Sequence, residues 1–343
     1  MKRAMSDREF HARLEAEALG PLWTVLADTL TTTPRPREVA YKWRWPSVRP
    51  LLYEALQRVT AEEAERRVLV LRNPGLPGPT ACTETLYAGI QIIGPGEVAR
   101  THRHTPNALR FIMEGSGAFS TVDGERIAMD RGDLVTTPTW TWHDHGNDGD
   151  APVVWLDGLD IPLVESLSGM FFEPSREREQ RVTRAPGDSR ARYAMGLRPA
   201  YETFDHPYSP VLSYPYNQAR AALAAVARGG GGSPYDGVLM EYTSPLSGGP
   251  VLPTMDAYLQ WIPPGASLQP IRRSSSVVYL GVEGQGTIMI DGVAFGWEVN
   301  DVVVVPSWAA LQHVNGGHDP AVLFSFSNAP VLKPFGLYRE ADA

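Results

Sequence analysis

The sequence has a single cysteine, Cys82, among its 343 residues, so no disulfide can form within one chain. So little cysteine is typical of a reducing compartment, and we expect a cytoplasmic protein. The N-terminal stretch MKRAMSDREFHARLEAEALG carries charges throughout and lacks the apolar core of a signal peptide. No apolar run approaches the ~18 residues that a membrane-spanning helix requires. We therefore expect neither a secreted disulfide scaffold nor a membrane protein.

Positive charge is also scarce: 31 Lys and Arg residues stand against 39 Asp and Glu, for a formal net charge of −8. Nucleic-acid-binding proteins present a basic face, so this balance argues against a nucleic-acid partner. The composition is 43% hydrophobic and 20% charged, which is typical of a packed globular protein. A chain of this length has room for two ordinary domains.

The pattern of apolar residues changes along the chain. Residues 6–30 and 47–66 show apolar positions every three or four residues, which predicts helices. From about 85 to 165, short apolar runs are cut by Gly, Asp-Gly and Pro, a pattern that predicts an antiparallel β barrel or sandwich with a hairpin turn at 122–125. Residues 216–227 again predict a helix, which a run of glycines ends.

The β pattern is present twice. GPGEVARTHRHTPNALRFIMEGSG at 94–117 parallels PPGASLQPIRRSSSVVYLGVEGQG at 263–286, and residues 122–147 parallel 290–315. The offset stays at 168 or 169 residues, which indicates an internal duplication. We therefore predict an N-terminal helical segment (1–84), a first β unit (85–165), a helical or irregular connection (166–254) and a second β unit (255–335).

His102 and His104 form a His-x-His pair inside the first β unit. In a strand, residues two apart point to the same face, so both imidazoles would face the same way and could bind one metal ion. Neutral imidazole suits Fe, Zn, Cu or Ni. A third ligand can come from TWHDHGN, which offers His143 and His145. The alternative reading of an isolated His-x-His is simply a polar strand face.

The residues around these histidines resemble the two motifs of the cupin superfamily. The first motif consists of Gly96, His102, His104 and Gly115, and the second of Gly132, Pro138, His143 and Asn147. Ala108 stands where many cupins carry a glutamate ligand, and Trp140 stands where the second motif has glycine. The resemblance implies a site of three neutral histidines, with His143 as the third ligand.

Longer strings resemble the gentisate 1,2-dioxygenase family, which includes salicylate and 1-hydroxy-2-naphthoate dioxygenases: AERRVLVLRNPGL, LYAGIQ, HRHTPNALRF, TWHDHGN and VVWLDGLDIPLV. The resemblance implies a mainly β bicupin with two tandem jelly-roll barrels and one Fe(II) per chain. It also implies the catabolic cleavage of gentisate by O2 to maleylpyruvate, with salicylate or 1-hydroxy-2-naphthoate as alternative substrates. A homo-oligomer, a tetramer, is implied as well.

The resemblance also implies roles for residues beside the metal. Arg110 is assigned to the substrate carboxylate, which its guanidinium fork suits. It lies six residues after His104, and hence on the same face if the strand stays regular. His145 is expected to hydrogen-bond the substrate or an oxygen intermediate and to carry a proton, with iron ligation as the alternative.

Further pocket residues follow from the matched strings. Gln91 and Asp157 are expected in the pocket or directly behind it, and one of Arg66 and Arg67 is expected to reach it. Nearby tryptophans are expected to pack in the core rather than to stack on substrate: Trp140, Trp142 and Trp155.

The second β unit lacks the metal ligands. The repeat places Ile271 and Arg273 at the positions of His102 and His104, and Leu311 at that of His143; His313 alone is kept, at the position of His145. We expect the second cupin to serve structure and assembly. Two other classes remain open: a cupin that only binds a metal or small molecule, and a sugar-phosphate isomerase, which usually keeps the glutamate ligand.

Overall fold

The computed structural model describes residues 7–343 and divides at Arg35 into two compact units. The first unit contains helices α1 (Asp7–Ala16) and α2 (Leu22–Thr29), neither of which has a buried residue. The single helix predicted over residues 6–30 is therefore wrong. Gly20 and Pro21 interrupt it, because glycine destabilises a helix and proline is tolerated only in its first turn.

The second unit, residues 36–343, holds the remaining helices and all strands. Its helices are α3 (Trp45–Arg58), α4 (Ala61–Ala64), α5 (Ile161–Ser166), α6 (Asp188–Tyr193), α7 (Tyr216–Arg228) and α8 (Ala329–Leu332). The helix predicted over 47–66 is in fact α3 followed by α4, which begins at a capping box between Thr60 and Glu63. The helix predicted over 216–227 is confirmed by α7. Within residues 7–343 no helix has the length and hydropathy to cross a bilayer.

The strands fall into two halves of eleven that follow the same order. The first half contains β1 (Tyr41–Trp43), β2 (Arg67–Val70), β3 (Tyr87–Ile93), β4 (Val98–His104), β5 (Ala108–Glu114), β6 (Ala118–Val122), β7 (Glu125–Met129), β8 (Leu134–Thr137), β9 (His143–Asn147), β10 (Val153–Leu159) and β11 (Phe172–Pro174). The second half contains β12 (Ser213–Tyr214), β13 (Val238–Glu241), β14 (Asp256–Ile262), β15 (Ile271–Arg273), β16 (Val277–Glu283), β17 (Gly286–Ile290), β18 (Val293–Trp297), β19 (Val302–Val305), β20 (Ala310–Val314), β21 (Ala321–Ser327) and β22 (Glu340–Asp342).

Each half builds a barrel of two antiparallel sheets. The first barrel has the strand orders β12-β8-β5-β10-β3-β2 and β11-β4-β9-β6-β7. The second has β1-β19-β16-β21-β14-β13 and β18-β17-β20-β15-β22. The mainly β bicupin architecture is thus confirmed. The strands β11 and β22 lie beyond the boundaries 165 and 335 suggested by the sequence.

Several strands are buried on both faces, because one face fills a barrel and the other packs between the two barrels. On β5, Ile112 belongs to the core of the first barrel, whereas Phe111 belongs to a cluster shared by both halves. The Phe111 ring stacks on Phe324 of β21, with the ring centroids 4.2 Å apart. Burial of large aromatic surfaces between the barrels stabilises their association.

The predicted hairpin at 122–125 is confirmed, with Asp123 at φ 43° and Gly124 at φ 79° between β6 and β7. Positive φ at both central residues is the signature of a type I′ turn, which Asp-Gly favours. The second half repeats the turn at Asp291 and Gly292, with φ 46° and 81°. The duplication therefore extends to backbone conformation.

The two halves exchange their first strands. β1 pairs with β19 of the second barrel, and β12 pairs with β8 of the first. The helix that follows each strand is capped across the same boundary. The Trp45 backbone N–H at the start of α3 donates to Asp301 Oδ1 at 2.7 Å, and the Tyr216 N–H at the start of α7 donates to Asp133 Oδ1 at 2.8 Å. Each barrel is therefore completed by an arm of the other half.

This exchange predicts matched effects of removing the two capping carboxylates. Because each carboxylate accepts a hydrogen bond from a helix N-terminus, Asp133→Ala and Asp301→Ala should each lower the free energy of unfolding by about 1.5–3 kcal/mol. Urea unfolding followed by circular dichroism measures both losses. A neutral Asp301→Ala beside a destabilising Asp133→Ala would contradict the equivalence of the two arms.

Candidate metal centre

Three histidines meet on the inner face of the first barrel. β4 carries His102 and His104, β9 carries His143, and His102 is the cross-strand partner of His143. Their candidate ligand nitrogens all lie within 4.8 Å of one another. The register between the two strands shifts between Ala99 and His102, a bulge of the kind that often aims side chains into active sites. The alternation seen in the sequence thus produces a compact three-nitrogen site.

The orientation of each ring is set by a nearby backbone carbonyl. The Nδ1 atoms lie 2.8, 2.8 and 3.0 Å from carbonyl oxygens of residues two positions away, which are Arg100 for His102, Pro106 for His104 and Thr141 for His143. A hydrogen bond at Nδ1 fixes the tautomer that leaves Nε2 free to bind a metal. In the described part of the chain, Nε2 of His143 is buried and has no hydrogen-bond partner. This unsatisfied atom fits a metal ligand.

The electrostatics of the site keep the imidazoles neutral. Burial, followed by the charge of Arg66, lowers the pKa of His102 to about 2. Burial also lowers the pKa of His104 to about 4 and that of His143 well below its usual value. A neutral imidazole is the form that binds metal ions, so no proton has to be displaced.

His145 lies two residues beyond His143 on β9 and is fully buried. Its ring centroid is 5.6 Å from that of His143 and 6.0 Å from that of Trp155. Neither ring nitrogen has a partner among the described residues, and burial, followed by the charge of Arg110, lowers its pKa. His145 therefore lies beside the three clustered histidines, with both ring nitrogens buried and without a hydrogen-bond partner among the described residues.

A cavity of about 350 Å³ adjoins the histidines. Its lining brings together most of the pocket residues expected from the sequence: Arg66, Gln91, His102, His104, Arg110 and Asp157. Arg67 instead points to Glu97, with which it makes two hydrogen bonds of 2.5 and 2.6 Å. Of the two neighbouring arginines, Arg66 is the one that faces the metal site, where its Nη2 atom contacts both ring nitrogens of His102, including the Nε2 atom that a metal would need.

Arg110 does not lie on the strand of His104, and the expectation of a shared strand face is wrong. The chain turns at residues 105–107, so Arg110 lies on β5 in the opposite sheet. Its Nε is 3.2 Å from Asp157 Oδ1, and its Nη1 donates to Thr137 Oγ1 at 2.5 Å. Burial raises the pKa of Asp157 to about 6, against the opposing effect of Arg110. The site thus contains a buried, oriented guanidinium–carboxylate pair.

The aromatic residues have several roles. Trp155 is buried and donates through Nε1 to Asp157 Oδ1 at 3.1 Å, which confirms its core position. The expectation is wrong for Trp140, which is 38% exposed. Trp140 and Trp142 pack against the guanidinium of Arg103, whose Cζ atom lies 4.4 and 4.6 Å from the centroids of their rings. Trp140 has φ 59°, which explains why the motif usually has glycine there.

Two aromatic side chains in the cavity wall were not anticipated, Tyr87 and Phe172. Tyr87 begins β3 within the matched string LYAGIQ, and its place in that string is the sequence signal for it. Phe172 stacks on His102 with ring centroids 5.5 Å apart. It lies on β11, beyond the part of the repeat that the sequence reveals, so no sequence signal marked it.

The second barrel confirms the loss of the ligands. Ile271 pairs with Leu311 across β15 and β20, as His102 pairs with His143 in the first barrel. Arg273 makes hydrogen bonds of 2.8 and 2.7 Å to Asp236 and one of 2.8 Å to Glu340. His313 is buried, and its ring nitrogens have no hydrogen-bond partner in the described chain. Among residues 7–343, the only group of three potential ligands is the one in the first barrel.

Comparison with known proteins gives consistent results. Residues 89–159 match the Cupin domain family. The chain is 42% identical over 334 residues to gentisate 1,2 dioxygenase 1 of Aquipseudomonas alcaligenes, covering 97% of this chain and 96% of that protein. It is 40% identical over 314 residues to 1-hydroxy-2-naphthoate 1,2-dioxygenase of Nocardioides sp. (strain KP7), covering 90% and 81%.

A solved structure is similar over the whole chain. This structure is salicylate 1,2-dioxygenase from Pseudoaminobacter salicylatoxidans, in adducts with gentisate. It has a TM-score of 0.91 and 32% sequence identity, and the match covers 100% of this chain and 95% of that one. The identities and coverage extend far beyond the cupin motifs. The chain belongs to the gentisate 1,2-dioxygenase family.

Proposed function

We propose that this protein is an Fe(II)-dependent ring-cleaving dioxygenase that converts gentisate and O2 to maleylpyruvate. The observation that carries the proposal is the cluster of His102, His104 and His143, with their Nδ1 atoms held by carbonyls, beside a cavity that contains the Arg110–Asp157 pair. Three neutral ligands leave coordination positions open, which is typical of a catalytic rather than a structural site. The guanidinium groups of Arg66 and Arg110 next to such a site favour an anionic substrate.

The three histidines would hold the metal through their Nε2 atoms. Fe(II) held in this way would provide a binding point for a carboxylate and its ortho hydroxyl and would permit the otherwise spin-forbidden reaction with O2. The neutral donor set supports iron among the metals that imidazole binds. We propose one iron per chain, in the first barrel.

The side chains around the cavity position the substrate. Arg110 is proposed to bind the substrate carboxylate through its guanidinium, whose orientation Asp157 and Thr137 maintain. Arg66 adds a second positive charge beside the ring of His102, and burial lowers its pKa to about 10, so it remains charged at neutral pH. Preformed donors of this kind reduce the cost of ordering the reactants.

His145 and Gln91 complete the proposed site. Because both ring nitrogens of His145 are unpartnered in the described chain, the ring can accept a hydrogen bond from a substrate hydroxyl and hold a proton during ring opening. Gln91 lines the cavity on β3 and supplies an amide donor and acceptor. We propose both as substrate-binding groups rather than metal ligands.

Gentisate is the proposed substrate because a hydroxyl para to the first makes the ring more electron-rich than that of salicylate. The family includes proteins named for gentisate, salicylate and 1-hydroxy-2-naphthoate, so these two other acids are the alternatives. We also propose a cytoplasmic homo-oligomer, a tetramer, as the family resemblance implies. A cupin that only binds metal would show no O2 consumption with any of these acids.

A substrate panel tests this proposal. Iron-loaded protein should consume O2 fastest with gentisate, more slowly with salicylate and 1-hydroxy-2-naphthoate, and negligibly with hydroquinone, which lacks the carboxylate. Steady-state O2 uptake, with product formation followed by absorbance, measures the order. Cleavage of hydroquinone faster than gentisate would refute the role of the carboxylate and of Arg110 in binding.

A further inference from the structure

The two strands that carry the metal ligands are not continuously paired. His102 is the partner of His143, but the next pair along the strands is Ala99 with His145. Two residues of β4 therefore lie opposite a single residue of β9, Asp144. A bulge of this kind interrupts the backbone hydrogen bonds between two strands. The register thus leaves β4 and β9 without regular pairing directly beside the metal ligands.

A side-chain hydrogen bond spans this bulge. Thr101 Oγ1 donates to Asp144 Oδ2 at 3.1 Å, and the two residues are only 3% and 1% exposed. Thr101 immediately precedes His102, and Asp144 immediately follows His143. Neighbouring residues of a strand point to opposite faces, so this bond lies on the other side of the sheet from the ligands. The described lining of the metal-site cavity includes neither residue, so any effect on the metal must pass through the ligand strands.

A segment after β11, residues 175–184, crosses the sheet behind this bond and is called here the crossing segment. The Thr101 backbone N–H donates to the Arg178 carbonyl at 3.0 Å, and the Thr101 hydroxyl is also 3.2 Å from that oxygen. The Gln180 backbone N–H donates to Asp144 Oδ2, and its side chain donates to the backbone of β6 at 2.7 Å. The crossing segment therefore ties β4, β9 and β6 together behind the metal ligands.

The second half, which has lost the metal ligands, differs at both positions. Pro270 stands at the position of Thr101, and Gln312 stands at that of Asp144. Proline has neither a hydroxyl nor a backbone N–H to donate. The side chain of Gln312 instead donates to the Leu268 carbonyl at 2.7 Å. The barrel that has lost the histidines has thus also lost the side-chain bond between the equivalent strands.

We propose that Thr101 and Asp144 are positioning residues of the metal site, which hold the bulge in the register at which the three histidines converge. These roles rest on the metal site of the proposed function and not on its substrate. Loss of a group that orients metal ligands from behind typically weakens metal binding by about 10–100-fold. By linkage, a bound metal should in turn hold the crossing segment in place.

Co(II) titration of the chelator-stripped, full-length protein, followed by the Co(II) absorption bands, tests these roles. Thr101→Val has nearly the same shape but no hydroxyl, so it should bind Co(II) more weakly by about tenfold or more. Thr101→Ser keeps the hydroxyl and should bind close to the unaltered protein. Thr101→Val/Asp144→Ala should bind no more weakly than the weaker single variant, because each substitution breaks the same bond. Gln312→Ala is the matched control in the second half and should keep the affinity.

Limited proteolysis gives a second readout that does not use the metal signal. The crossing segment contains exposed arginines at which trypsin can cleave, among them Arg176, Arg178 and Arg181. Saturating Co(II) should slow this cleavage in the unaltered protein and in Thr101→Ser, and should slow it much less in Thr101→Val. Urea unfolding of the metal-free variants checks that each is folded.

Unchanged Co(II) affinity in Thr101→Val would overturn the proposal. Two further results would do the same: Thr101→Ser that binds as weakly as Thr101→Val, or losses that add in the double variant. Failure of the unaltered protein to bind Co(II) would refute the metal site and these roles together. If the affinities follow the expected order but Fe(II)-loaded protein consumes no O2 with gentisate, the proposed reaction is refuted and the positioning roles stand.

Discussion

His143→Ala should lose both iron and ring-cleaving activity, whereas His145→Ala should keep iron and lose turnover. The reason is geometric: the ligand nitrogens of His143 lie with those of His102 and His104, while His145 lies beside them. Removing one of three ligands leaves too few to retain a divalent metal. Removing a proton-handling group typically costs about 10²–10⁴-fold in rate without affecting the metal. Iron content by mass spectrometry and O2 uptake measure the two outcomes.

His102→Ala and His104→Ala should behave like His143→Ala and still yield folded, soluble protein. His313→Ala is the matched control, because His313 is the equivalent of His145 in the second barrel and is buried without a hydrogen-bond partner in the described chain. That variant should retain iron and activity. Loss of iron in His145→Ala together with retention in His143→Ala would reverse the assignment of the third ligand.

Arg110→Lys should lower kcat/KM for gentisate by about 10²-fold or more while leaving the iron content unchanged. A lysine keeps the positive charge but lacks the planar fork that binds a carboxylate and Asp157 together. Because lysine preserves a cation next to Asp157, the fold should survive, whereas a neutral residue would leave a buried carboxylate unpaired.

The control for this prediction is Arg67→Lys, because Arg67 is bound to Glu97 rather than facing the metal site. Its kinetics with gentisate should stay close to those of the unaltered protein. Steady-state O2 uptake over a range of gentisate concentrations separates the effects on kcat and KM. An unchanged kcat/KM in Arg110→Lys would show that the carboxylate is bound elsewhere.

The sequence predicted the features that depend on local spacing. The His-x-His alternation places His102 and His104 on one face of β4, and the Asp-Gly dipeptide predicts the turn between β6 and β7. The constant repeat offset predicts the second barrel and the loss of its ligands, because equivalent residues of a duplication occupy equivalent strands. These inferences needed no knowledge of distant contacts.

Other features depended on contacts that spacing does not determine. The exchange of β1 and β12 joins segments that are far apart in sequence. Each strand is too short for its residue pattern to indicate the strand with which it pairs. Arg110 reaches the cavity from the opposite sheet because the chain turns after His104. Arg67, the first residue of β2, directs its side chain to Glu97, whereas the side chain of its neighbour Arg66 faces the metal site. Which of the two arginines meets Glu97 depends on the fold and not on local spacing.

The most direct test of the central claim, one catalytic iron site per chain in the first barrel, is the iron stoichiometry of active protein. Protein stripped by a chelator and reloaded with Fe(II) under argon should bind one iron per chain, and O2 uptake with gentisate should rise in proportion to bound iron until that ratio is reached. Two irons per chain, or full activity in iron-free protein, would contradict the account.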